Sequence, residues 1–171
     1  MQNGIIWQYF LKSSSIPQHL TDVVVLFEKH SSKMNSGKHQ LASNQVLDIV
    51  RKDLDQIGFK VELNKKDDGV IRVPVLFGLD GKPEKSFQAD GIQEKTGTVI
   101  EIEAGRGVTN YQFLKDIFQA CMMHNVNYLI IAVRKIYRKD RNFDTVLRFL
   151  DTLYASGRLN LPLKGILLIG Y

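Results

Sequence analysis

Cysteine is almost absent from this chain. Cys121 stands alone, so no internal disulfide can form, and its place in a helical apolar pattern reads as packing. The four histidines, His19, His30, His39 and His124, have no metal-ligand spacing; with one cysteine, a structural zinc is not expected. They read as surface or capping groups. No apolar run approaches the roughly 20 residues that cross a bilayer. The segment Met1–Trp7 lacks a basic stretch followed by an apolar core, so no secretory leader is expected and the expected location is cytoplasmic. A Gly-x-x-x-x-Gly-Lys-Ser/Thr loop is missing, which removes that class of ATPase. Gly105-Arg106-Gly107 follows a strand-like run, but Asn110 stands where a dinucleotide fingerprint needs its third glycine. Ser13-Ser14-Ser15 has no nucleophile-elbow context, and no internal repeat is visible.

What remains is an ordinary globular composition, 44% hydrophobic and 24% charged over 171 residues, enough for one domain with a real core. Net charge is +5 with a pI near 9.3, which favours an anionic partner such as nucleic acid. The basic residues divide into the pair Lys65-Lys66 and the larger group Arg134, Lys135, Arg138, Lys139 and Arg141. Tyr137 is interleaved in the second group, making it the better candidate for tracking phosphates, although a solvated loop has the same composition.

Periodicity predicts a helix over 17–29, with Leu20, Val23, Val24 and Phe27 on one side and Ser14 or Ser15 as cap. Residues 1–37 are expected to be a helical extension outside a core spanning 38–171. A second helix is expected from about His39 to Ile57, stopped by Gly58. Strands are expected over 59–63 and 70–77, the latter with an edge or bulge at Pro74, and Asp80-Gly81 is a turn signal. After residue 103, Thr109 and Gln112 fit a capping box, and Leu114, Ile117, Phe118 and Cys121 suggest the inward face of a helix. A buried strand over 126–133, a helix over 142–155 and a final strand over 165–171 complete an α/β pattern, a mixed sheet with helices on both faces.

Three acids stand out in this frame. Residues 87–92 and 98–103 are strand-like and flank the polar loop Gln93-Glu94-Lys95-Thr96-Gly97. If Gln93 pairs with Thr98, Asp90 lies opposite Glu101 and Gln88 opposite Glu103. Strand alternation puts Val99, Glu101 and Glu103 on one face. Directly opposed side chains have Cβ atoms roughly 5 Å apart, a repulsive distance for two carboxylates unless a cation lies between them. Mg²⁺ binds through a few carboxylates, water and substrate phosphate, so it is the expected cation.

The order of elements over roughly 39–133, with Asp90 followed by Glu101-Ile102-Glu103, resembles the PD-(D/E)xK nuclease superfamily. The resemblance implies a restriction-endonuclease-like core of helix, three strands, helix and strand. It implies a Mg²⁺-dependent endonuclease acting on double-stranded DNA, with Mn²⁺ able to substitute. Asp90 and Glu101 would be metal ligands, joined by the Ile102 carbonyl, and Glu103 would orient or deprotonate the water. Arg106 and Lys115 would meet phosphate, as would Arg134 and Arg138 of the basic group. Cutting both strands implies a homodimer. The chain departs from the pattern in having Ala89 before Asp90 and Glu103 in the usual lysine position, a Glu-x-Glu variant that some type II restriction enzymes share. No acid is assigned on the first core helix, where Ser43 is the only polar member of the inward stripe and Gln45 and Asp48 point away. The missing lysine equally fits an inactive nucleic-acid-binding or assembly module on the same fold.

Overall fold

A computed structural model describes residues 4–64, 66, 68–105, 108 and 110–171. Along the chain run β1 (Ile6–Phe10), α1 (Gln18–Lys29), α2 (Ser31–Met34), α3 (Ser43–Gln56), β2 (Lys60–Val61), β3 (Ile71–Phe77) and β4 (Pro83–Ala89). Then come β5 (Gly91–Gln93), β6 (Thr98–Glu103), α4 (Gln112–Met122), β7 (Tyr128–Val133), α5 (Asn142–Ser156) and β8 (Gly165–Gly170). Six strands form one mixed sheet in the order β1-β8-β7-β6-β5-β2, while β3 and β4 pair with each other as a separate two-stranded ribbon. Strands β6, β7 and β8 are parallel; β1, β5 and β2 join antiparallel.

The parallel strands are continuous apolar runs because helices cover both of their faces. The crossovers through α4 and α5 step the same way along the sheet, so one handedness places both helices on one face. There Phe113 and Ile117 of α4 and Phe143, Val146 and Leu150 of α5 pack on Val99, Leu129, Ile131 and Leu168. On the other face Leu20, Val23 and Phe27 of α1, with Val46, Val50 and Leu54 of α3, pack on Ile100, Ile102, Ile130 and Leu167. Helices on both faces of a mixed sheet match the expectation from sequence.

The N-terminal segment does not stand outside the core. Its first described residues form β1, which pairs with β8 from Ile6↔Gly170 to Phe10↔Ile166, and α1 supplies fully buried side chains. Five strand residues are too few to show a period of two, so the strand left no clear signal. Pro17 takes the position before α1, and neither Ser14 nor Ser15 bonds its amides. Helix α3 starts at Ser43 rather than near His39, with the Gln45 side chain accepting from the Ala42 amide at 2.8 Å, and it stops at Gly58, whose φ of +92° is left-handed. The strand expected over 59–63 shrinks to two residues. The register of β3 slips just after Pro74, the irregularity expected there. The expected Thr109 cap lies outside the described residues.

The acidic hairpin keeps its predicted turn but not its predicted first strand. Its loop and register are as the sequence predicts, with Gln93↔Thr98, Ile92↔Val99 and Gly91↔Ile100 paired. The strand expected to run through 87–92 breaks at Asp90: β4 belongs to the ribbon and β5 to the main sheet. Gly97 closes the loop at φ +65°, and a Cβ there would overlap the Asn125 carbonyl oxygen. Its own carbonyl accepts from the Asn127 and Tyr128 amides at 2.7 and 3.0 Å, locking the hairpin to the start of β7. Gly97→Ala is therefore expected to lower unfolding free energy by about 2–3 kcal/mol in urea melts, with exposed Lys95→Ala changing it by less than about 0.5 kcal/mol.

Candidate active site

Strand alternation divides β6 between two duties. Ile100 and Ile102 enter the core beneath α1 and α3, while Glu101 and Glu103 face the side covered by α4. A crossover helix begins over the carboxyl end of the strand it leaves, where α/β sheets place their sites. The first turns of α4 thus meet the two glutamates. The helix is rotated relative to the expected stripe: Phe113, Asp116, Ile117 and Ala120 are buried, whereas Phe118 is 54% exposed. Sequence reasoning missed Asp116 because a carboxylate is an unfavourable core residue. Its signal was helical spacing, since it falls three residues after Phe113 and four before Ala120.

Asp90 reaches the site from the break between β4 and β5. Its Oδ2 accepts the Ile102 amide at 2.7 Å, and its backbone carbonyl accepts the Glu62 amide at 2.8 Å. The amide and carbonyl of a strand residue point to the same edge, so the Ile102 carbonyl shares the edge that Asp90 occupies. Asp90, Glu101, Ile102, Glu103 and Asp116 line one polar cavity of about 200 Å³. Lys115, Gln112 and Gln119 of α4 complete one wall; Ser43, Glu62 and Gln88 contribute to the others. Gln45 and Asp48 are exposed on α3, pointing away as expected, and Ser43 reaches the cavity.

Burial and mutual repulsion favour protons on these acids. Burial raises Glu101 well above the ordinary carboxylate range, and the charges of Asp90, Asp116 and Glu103 raise it further. Burial, then the charge of Asp116 and a hydrogen bond with it, lifts Glu103 to about 8. Asp116 is raised to about 6 by burial, against the pull of the Lys115 ammonium and of hydrogen bonds from Glu103 and Gln112. Lys115 opposes the rise at all three.

The donors are carboxylate and carbonyl oxygens, a set that suits a hard cation such as Mg²⁺ or Mn²⁺. Among the described residues no three Asp, Glu, His or Cys side chains stand together as a ready-made cage. Mg²⁺ characteristically uses one or two carboxylates and keeps several waters, so pairs of acids are the relevant unit.

The expected phosphate-binding residues separate. Lys115 is exposed and lines the cavity. Arg106 lies outside the described residues, as does Lys65. Arg134 is 6% exposed, bonds the Leu41 carbonyl and lies over the Tyr137 ring at 5.2 Å, so its guanidinium serves packing and is not on the surface. Arg138, over the same ring at 5.4 Å, is exposed together with Lys139 and Arg141. His30 ties the end of α1 to α3 through Asp53 at 2.5 Å, a structural use.

No protein-family model matches the chain, and no curated protein is significantly similar to it.

Above the ordinary carboxylate range the folded state holds protons that the unfolded chain has released, on Asp116 up to about pH 6, on Glu103 up to about pH 8, and on Glu101, which burial also raises well above that range. Stability therefore falls as pH rises through that window. Thermal melts without metal are expected to show the melting temperature dropping by roughly 5 °C or more between pH 6 and pH 9, with Glu103→Gln making the drop smaller. An equal drop in the variant would sink this account.

Proposed function

We propose that this protein is a metal-dependent endonuclease that hydrolyses DNA phosphodiester bonds on a restriction-endonuclease-like core. The observation that carries the reading is the gathering of Asp90, Glu101, Glu103 and Asp116 with Lys115 around one cavity at the carboxyl end of β6. The element order supports it: α3, then Asp90 at the break between β4 and β5, then β6 with Glu101-Ile102-Glu103, then α4 and β7. The net charge of +5 and the exposed Arg138, Lys139 and Arg141 suit a polyanion.

In this reading Asp90, Glu101 and the Ile102 carbonyl hold Mg²⁺, or Mn²⁺ in its place. The bound ion supplies charge neutralisation at the scissile phosphate and a lowered pKa for its water. Glu103, whose burial makes it a stronger base than a free carboxylate, orients the attacking water and accepts its proton. Lys115 offers its ammonium to the phosphate from the opposite wall, which partly replaces the lysine that Glu103 displaces. Double-stranded DNA is the partner, and a homodimer brings one site to each strand.

A second reading has a specific observation behind it. Glu103 occupies the lysine position of the family that the chain resembles, as in a nucleic-acid-binding or assembly module that kept the fold and lost the reaction. Plasmid cleavage separates the two. With Mg²⁺ or Mn²⁺ the protein is expected to nick or linearise supercoiled DNA, EDTA to stop it, and Asp90→Ala and Glu101→Ala each to lower the rate about 100-fold or more. Lys115→Ala is expected to cost about tenfold. DNA binding without cleavage in either metal, and no metal-induced change in melting temperature, selects the inactive module. Light scattering at working concentration is expected to give twice the 19.5 kDa chain mass.

A further inference from the structure

Glu103 closes β6, and the chain turns away at Gly105, whose φ is +106°. A carboxylate on the last residue of a strand is only as well placed as that strand end. On one edge the end is held by Asp90, which accepts the Ile102 amide at 2.7 Å. On the other edge the last pairing is Glu103↔Val133. The Glu103 carbonyl has a partner from outside both strands. The hydroxyl of Tyr171 donates to it at 3.2 Å.

Tyr171 follows β8 and reaches Glu103 from the other side of the sheet. Its ring is 1% exposed in the core beneath α1 and α3, whereas Glu103 lines the cavity on the α4 side. The backbone of Tyr171 is fixed as well. Its amide donates to the Val133 carbonyl at 3.0 Å, and its carbonyl accepts the Lys135 amide at 2.9 Å and the Ser36 hydroxyl at 2.5 Å. A hydrogen bond with Arg134 holds the phenol, and Arg134 is itself bonded to the Leu41 carbonyl. A close-packed ring on a fixed backbone has one rotamer open to it, so the hydroxyl is a rigid prop. We propose that Tyr171 is a positioning residue for Glu103: it holds the end of β6 from behind the cavity and so sets where the carboxylate meets the attacking water. The inference rests on the reading above, in which Glu103 accepts that water's proton. Loss of the hydroxyl leaves the Glu103 carbonyl without this donor and frees the strand end to shift. A shift of about 1 Å in a reacting group costs up to about 100-fold in rate.

Single-turnover cleavage of supercoiled plasmid by the full chain with Mg²⁺, at saturating protein, tests this with Tyr171→Phe and a matched control. Tyr9→Phe is that control: Tyr9 is buried in the same core and its hydroxyl donates to the Lys164 carbonyl at 3.4 Å. Tyr171→Phe is expected to cut about tenfold more slowly than the wild type. Its affinity for the duplex without metal is expected to be unchanged, because phosphate contacts set that affinity. Tyr9→Phe is expected to cut at the wild-type rate. Both variants are expected to melt within about 5 °C of the wild type. An unchanged rate in Tyr171→Phe, or an equal loss in both variants, overturns the positioning role and leaves the nuclease reading standing. A wild type that cuts nothing with Mg²⁺ or Mn²⁺ overturns both. If Tyr171→Phe does not fold, Ser36→Ala takes its place, since it releases the Tyr171 carbonyl. Slower cutting at unchanged duplex affinity then supports the role, and an unchanged rate overturns it.

Discussion

The structure turns on one hydrogen bond, from the Ile102 amide to the Asp90 carboxylate. Strand β5 ends its pairing with β6 at Gly91↔Ile100, which leaves the next amide of β6 facing the gap without a ladder partner. The Asp90 side chain fills that role, and the backbone is released to leave the sheet as β4. An unpaired buried amide costs about 1–3 kcal/mol, so the carboxylate is needed structurally before any chemistry is considered. The same departure opens the cavity, because continued pairing would have filled it with strand. Asp90 is thus both the plug of an unfinished ladder and one wall of the candidate site.

The acids are tolerated because the other face of the same strand contributes strongly to stability. On that face Ile100, with its neighbours Ile130 of β7 and Leu167 of β8, is fully buried, each side chain stabilising the fold by about 2 kcal/mol. Against this background the repulsion among Asp90, Glu101, Glu103 and Asp116 is a local cost that the fold tolerates. Such stored repulsion favours whatever positive species enters, whether protons or a metal ion. Lys115 lessens the repulsion from the rim but is too exposed to neutralise it.

The sequence disclosed the parts of this arrangement that depend on period and turn chemistry. Alternation in Val99-Ile100-Glu101-Ile102-Glu103 predicted which side chains share a face, and the Gly97 loop predicted the register. It did not disclose what depends on tertiary context. The break at Asp90 looks locally like continuous strand, because both halves have strand composition. The rotation of α4 that buries Asp116 and exposes Phe118 contradicts the usual preference of those residues. Arg134 read as a surface cation in a basic run, yet the Tyr137 ring and the Leu41 carbonyl hold it inside. At Asp116 and Arg134 the departure is a buried polar group, the kind of residue that propensity assigns to solvent.

The placement of β8 has a consequence for how the chain reaches this state. It lies between β1 and β7, so Ile6 pairs with Gly170 across almost the whole sequence. Such pairings carry a high loop-closure entropy and slow the search for the native topology. Until β8 docks, β7 is an open apolar edge and β1 has no partner, and both are exposed to pairing with other chains. The acid-bearing strand sits on the far side of β7, so its final support arrives only when that slow closure is complete.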